Sequence, residues 1–153
     1  MVIQIDTREK PKAIIRIIET FDKKGIKHFS SKLPCGDYID LDNARFSVDR
    51  KQSLLEVCNN VCQDHERFIN ELKKANYLGI KLVFLVEHSR NIRSLEDVRS
   101  WKNPRLKTSP LAASGERLYK ILVVLEKKYN TKFYFCSKKE TGDKIIELLR
   151  RGI

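Results

Sequence analysis

Three short stretches of this chain carry acids, the first and last beside cations: Asp6-Thr7-Arg8-Glu9, Gly36-Asp37-Tyr38 and Asp49-Arg50-Lys51. The last of them ends a β-prone run, Phe46-Ser47-Val48. Residues two apart on a strand share a face, so Asp49 and Lys51 point the same way. A carboxylate and an ammonium on one face of a strand end can hold a divalent metal with a water beside it. They can also form an ordinary ion pair, which is worth little at a surface. Phosphodiester hydrolysis calls for the first arrangement. A hard metal prefers oxygen ligands and keeps several waters. It lowers the pKa of a bound water and steadies charge on phosphorus, while a nearby lysine orients the water or neutralises phosphate charge. Asp37 offers the second carboxylate that such a centre needs.

Elements must bring these residues together. Residues 37–41 alternate in polarity, Asp42-Asn43-Ala44 reads as a turn, and residues 45–51 return as a hairpin partner. That pairing carries Asp37 towards Asp49 and Lys51. Upstream, Val2 to Asp6 reads as a strand. Pro11 suits the first turn of a helix carrying Ile14, Ile15, Ile17, Ile18 and Phe21, and Lys23-Lys24-Gly25 closes it. Residues 26–33 read as another strand, broken by Pro34-Cys35-Gly36. Residues 53–76 are helical with an interruption at Gln63-Asp64-His65, and residues 81–86 form an apolar run typical of a strand buried on both faces. A helix over 116–128, a strand over 131–136 and a capping box, Ser137-Lys138-Lys139-Glu140, opening a last helix complete an α/β rhythm.

Residues 89–114 are the irregular part, with Arg90, Arg93, Arg99, Lys102, Arg105 and Lys107 against Glu96 and Asp97. A loop of this length is expected to be functional or mobile. Trp101 within it either stacks on an unpaired base or anchors the loop. The net charge of +11 in 153 residues points to a polyanionic partner, nucleic acid first. There is no signal-peptide pattern and no apolar run of membrane-spanning length. Cys35, Cys58, Cys62 and Cys136 show no CxxC spacing, which predicts reduced thiols in a cytoplasmic protein, with a zinc site as the alternative.

Taken in order, Ile5-Asp6-Thr7-Arg8-Glu9, Gly36-Asp37-Tyr38 and Val48-Asp49-Arg50-Lys51 resemble the XPF-type nuclease domain of structure-specific endonucleases, within the PD-(D/E)XK superfamily. Leu85-Val86-Glu87 and the C-terminal helix-strand-helix fit the same layout. The resemblance implies one domain over residues 1–153 with a restriction-endonuclease-like core: a central mixed β-sheet flanked by helices, with a mobile basic loop at about 89–114. It implies catalytic Asp6, Asp37, Asp49 and Lys51, with Mg²⁺ or Mn²⁺ on Asp37 and Asp49. Arg8 and Arg50 are expected as DNA phosphate contacts, with Glu9 and Glu56 in support. The implied activity is incision of branched, flap or forked DNA in repair or recombination. A catalytically weak DNA-binding module that supports a partner nuclease or helicase is the alternative. The protein is expected to be intracellular, nucleoid-associated or virus-encoded. A homodimer through the C-terminal helices is also implied, and no helix-hairpin-helix or helicase segment is seen. Two positions depart from the family pattern: Asp49 stands where a Glu is usual, and Leu55 stands where an acid is usual. Glu56 or Glu66 could take that acid's role, or the acid could be dispensable.

Overall fold

The structure, a computed structural model, describes residues 1–152. Six strands form one sheet in the order β2-β1-β3-β4-β5-β6. They are β1 (Val2–Ile5), β2 (Lys27–Ser30), β3 (Tyr38–Asp40), β4 (Asn43–Lys51), β5 (Lys81–Glu87) and β6 (Phe133–Cys136). β3 runs antiparallel to both of its neighbours, and every other pairing is parallel. The sheet is therefore mixed, as expected. The carboxyl ends of β1, β4, β5 and β6 share one edge with the start of β3. In open α/β sheets that edge is where ligands bind.

Helices cover both faces. Helices α1 (Ile15–Lys23) and α5 (Thr141–Arg151) pack on one, burying Ile17, Phe21, Ile145 and Leu148 against Ile3, Val48 and Leu85. Helices α2 (Leu54–Cys62), α3 (His65–Tyr77) and α4 (Gly115–Tyr129) pack on the other, burying Leu54, Leu72, Leu118 and Leu122 against Phe84 and Val86. β5 lies between these layers, which explains its unbroken apolar run: six of its seven residues are buried. The α4 stripe of Leu118, Leu122 and Leu125 faces this chain's own core, and Val124 is the large apolar residue that α4 leaves exposed.

Several boundaries differ from the expectation for local reasons. The hairpin closes on Leu41 and Asp42, because Asp40 already pairs with Asn43. β2 stops at Ser30, since the Leu33 amide is claimed by a side chain of the β1 loop, Asp6. The capping box at Ser137 does not open α5. Glu140 Oε1 accepts from the Ser137 amide at 3.1 Å, but the Ser137 hydroxyl donates to that same carboxylate and caps no helix amide, so the helix starts at Thr141. The interruption near Gln63 does separate α2 from α3. In residues 89–114, the irregular segment, Ile92, Val98, Trp101 and Ala113 enter the α2–α4 core, and two 3₁₀ turns, Glu96–Ser100 and Pro104–Lys107, give the segment shape. Trp101 is an anchor, 9% exposed. All four cysteines are free thiols.

Candidate active site at the carboxyl edge of the sheet

β4 delivers its last residues to opposite faces. Asp49 and Lys51 lie beside Phe84 and Val86 in register, on the α2–α3 side; Arg50 lies beside Leu85, on the α1–α5 side. Lys51 Nζ stands 3.1 Å from Asp49 Oδ1, with the two side chains only 15% and 19% exposed. The pair lacks hydrogen-bond alignment, and Asp49 Oδ1 is buried without a hydrogen-bond partner among the described residues. Burial pushes the Asp49 carboxyl up, and the Lys51 charge only partly opposes it. Burial would lower Lys51, but the Asp49 carboxylate carries it above the ordinary lysine value, so it stays protonated.

Asp37 reaches the same place from β3. Tyr38 pairs with Val48, so the next position across the hairpin sets Asp37 opposite Asp49. The Asp37 amide donates to Val48 O at 2.9 Å, and the Arg50 amide donates to Asp37 Oδ2 at 2.8 Å. Its carboxyl is pushed up to about 8, by burial first and then by the nearby Asp49 and Glu9 charges. Gly36 makes the approach possible. Its φ is +72°, and a Cβ there would collide with Ser47 Oγ, which donates to Cys35 O at 3.0 Å. The two acids expected to converge are therefore neighbours on one face.

Asp6 sits at the same edge but is already engaged. Its Oδ1 accepts from the Leu33 amide at 2.7 Å, and its Oδ2 accepts from the Arg8 amide at 2.9 Å and from Arg8 Nε at 2.6 Å. Burial acts to raise its pKa, but these donors together hold it below the ordinary value. Arg8 continues to Gly36 O at 3.1 Å and remains 59% exposed. Glu9 and Arg50 meet behind the sheet. Arg50 Nε and Nη2 donate to the two Glu9 oxygens at 2.7 and 2.8 Å, Nη1 donates to Glu87 Oε1 at 2.8 Å, and the Tyr38 hydroxyl donates to Glu9 Oε1 at 2.9 Å. Arg50 is 8% exposed, so its fork is committed to two carboxylates inside the protein.

On the other face, Asp49 and Lys51 open into a cavity of about 240 Å³ also lined by Arg8, Asn60, Arg67 and Glu71. Glu56 lies in the first turn of α2, where its amide donates to Ser53 Oγ at 3.1 Å and its Oε2 accepts from the Gln52 amide at 2.8 Å. It works as the N-terminal brace of α2. Glu66 faces a wider groove along α3 that adjoins this cavity through Asp64, Arg67 and Glu71. Leu55 packs against the core. Among the described residues, no three of the His, Cys, Asp and Glu side chains form a ready metal cluster. Glu87 enters motif reading only within the Leu85-Val86-Glu87 stretch, without a role, and Asn60 escapes it. Glu87 had a usable signal, because an acid ending an apolar strand must be paired if buried. Asn60 had only its helical spacing, one turn beyond Glu56 on the same face of α2.

Comparison with known proteins bears on the fold and the family. Two solved structures of XPF from Aeropyrum pernix superpose on the chain, one of them in complex with DNA. Their TM-scores are 0.69 and 0.67, their identities 18% and 20%, and they cover 99% and 98% of this chain. The chain spans 64% of the length of each. At such identity the likeness establishes the fold. No curated protein matches the sequence. The ERCC4 domain matches residues 5–148, nearly the whole chain, and takes in all three acid-bearing motifs. The chain belongs to the ERCC4 domain family.

Proposed function

We propose that this chain is a metal-dependent DNA endonuclease that hydrolyses phosphodiester bonds at branched, flap or forked DNA. The observation that carries the reading is the pairing of Asp37 with Asp49 at the carboxyl edge of the sheet, with Lys51 Nζ 3.1 Å from Asp49. The donor set fits a hard divalent ion such as Mg²⁺ or Mn²⁺. Asp49 Oδ1 is a buried oxygen with no aligned hydrogen bond, and Asp37 is a second carboxylate crowded against it. Asp37 and Asp49 would hold the ion, which supplies an activated water and relief of phosphorane charge. Lys51, kept protonated by Asp49, donates to a phosphate oxygen and does not act as the base. Arg8, exposed at the cavity mouth, grips the backbone beside the scissile bond. Asp6 orders the Arg8 loop, and Arg50 braces Glu9 and Glu87 from behind. DNA as substrate is supported by the +11 charge and the family. The preference for branched forms rests on the XPF resemblance. A helicase or DNA-binding partner would add affinity. Pairing of two copies through the C-terminal helices would have to use Val124, since the leucine stripe of α4 is internal.

The test is cleavage of a panel of flap, fork, junction and duplex DNAs with Mg²⁺, with Mn²⁺ and with EDTA. Metal-dependent incision of branched substrates is expected, and Asp49→Asn and Lys51→Ala each lower it about 100-fold or more while folding is retained. Wild-type rates in both variants would remove these residues from the site. Leu55, apolar where the family usually has an acid, favours a second reading: a DNA-binding module that does not cut. Tight binding with no incision on any substrate in either metal would establish that one.

A further inference from the structure

Two buried side-chain oxygens accept no aligned hydrogen bond among the described residues: Asp49 Oδ1, which faces the Lys51 ammonium at 3.1 Å, and Asn60 Oδ1. Both residues line the same cavity of about 240 Å³. Buried polar atoms are nearly always paired, and the exceptions in native proteins commonly mark a bound water or ion. Lining one polar cavity, the two oxygens are placed to give electron pairs to a single cation. One is anionic and the other neutral, and both are hard oxygen donors. That is the ligand character of Mg²⁺ and Mn²⁺ sites. The fold explains how Asn60 arrives. Ser53 starts α2 directly after β4, which returns the helix across the Asp49 face. Leu54, Val57, Cys58 and Val61 turn to the core, and Glu56 and Asn60 share the adjoining side. Glu56 is spent on the Gln52 amide, whereas Asn60 Oδ1 is free.

We infer that the Asn60 carbonyl oxygen belongs to the coordination shell of the divalent ion at Asp49, in the role an acid at position 55 would otherwise fill. The inference rests on the proposed metal-dependent reading of the Asp37–Asp49 site and adds a neutral ligand one helical turn beyond Glu56. A neutral donor leaves the shell with one negative charge fewer than an all-carboxylate set. That favours looser metal binding and a more acidic bound water.

The test separates metal binding from catalysis. Mn²⁺ binding is measured on the whole chain, without DNA, by calorimetry and by the electron paramagnetic resonance signal of free Mn²⁺, for wild type, Asp49→Ala, Asn60→Leu and Asn60→Asp. Unfolding in EDTA is recorded for each. Asn60→Leu should weaken Mn²⁺ binding about tenfold or more while leaving the EDTA midpoint unchanged or higher, because it removes an unpaired buried acceptor. An asparagine serving only structure would show the reverse, a lowered midpoint and unchanged Mn²⁺ affinity, and that result overturns the inference. Asn60→Asp should tighten binding at pH 8. If Asn60→Leu does not fold, unchanged or weaker binding by Asn60→Asp counts against the role. If Asp49→Ala abolishes Mn²⁺ binding and both Asn60 variants match wild type, only the Asn60 assignment falls. If wild type binds no Mn²⁺, the metal reading of the whole site falls with it.

Discussion

Asp49, Arg50 and Lys51 are adjacent in sequence and divided in space, and the division sets three different chemistries. Arg50 turns behind the sheet into Glu9 and Glu87, at 4% side-chain exposure. Removing one partner of a buried charge cluster strands the others. Arg50→Met should therefore destabilise the protein by about 3–5 kcal/mol, read as a shift in urea unfolding. Its effect on DNA affinity, measured on the folded fraction, should be small, because the guanidinium faces inward. Asp6 makes the complementary case on the front. Its carboxyl titrates below the ordinary value of 3.8 in the folded state. A depressed carboxylate contributes stability that is present above the unfolded pKa and lost as pH falls through the folded one. Unfolding free energy measured between pH 2 and 6 should fall steeply below about pH 4 in wild type, and Asp6→Asn should flatten that limb while lowering stability at pH 6.

At the scale of elements, the tight point is the crossing of the β3 entry over β4. Gly36 takes a left-handed φ of +72° where any side chain meets Ser47 and Leu82. Gly36→Ala should cost about 1–3 kcal/mol through overpacking and backbone strain. It should also move Asp37 away from Asp49, so the stability loss should be accompanied by weaker Mn²⁺ binding in calorimetry. Unchanged metal affinity in a destabilised Gly36→Ala would show that Asp37 tolerates displacement. The 89–114 segment shows a related lesson. Its basic residues look like a free arm, yet Val98 and Trp101 are buried, and the backbone carbonyls of both lie against Gly115 at the start of α4. Arg99 stacks 4.1 Å from the Tyr119 ring centroid and pairs with Glu96. Part of its charge is therefore neutralised locally.

Over the whole molecule, the parallel strands gather helix starts and cations at one edge. Behind the sheet, Lys12, Arg16 and Lys138 line a cleft of about 540 Å³ floored by the Arg50–Glu87 pair, and none of the three cations forms an ion pair among the described residues. Unpaired cations beside the starts of α1 and α5 suit phosphate. If DNA passes over this edge, replacing all three by alanine should weaken binding and reduce the magnitude of the log–log salt slope by about 2 to 3, as measured by fluorescence anisotropy without metal. A triple alanine variant at Lys73, Lys127 and Lys128, remote on α3 and α4, serves as the control. Equal slopes in the two triple variants would place the DNA path elsewhere.

Sequence alone determined the strand and helix order, the α/β class, the family likeness and the hairpin that carries Asp37 towards Asp49. Those features depend on short-range quantities: alternation along β4, a turn-prone stretch after β3, and an apolar β5. Tertiary structure decided what each charged side chain does once there. Arg50 follows Asp49 by one residue, and only the layering of α1 and α5 behind the sheet gives it Glu9 and Glu87. Glu56 and Asn60 lie one turn apart on α2, and only the helix's return across β4 leaves one braced and the other without a partner. The capping box at Ser137 looked plausible locally and was overruled by a carboxylate taken by its own turn, and of the two roles open to Trp101 the packed core selects the anchor. Local pattern sets where backbone goes. The pairing of buried charges depends on residues far apart in the chain, which only the packed molecule brings within a hydrogen bond of each other.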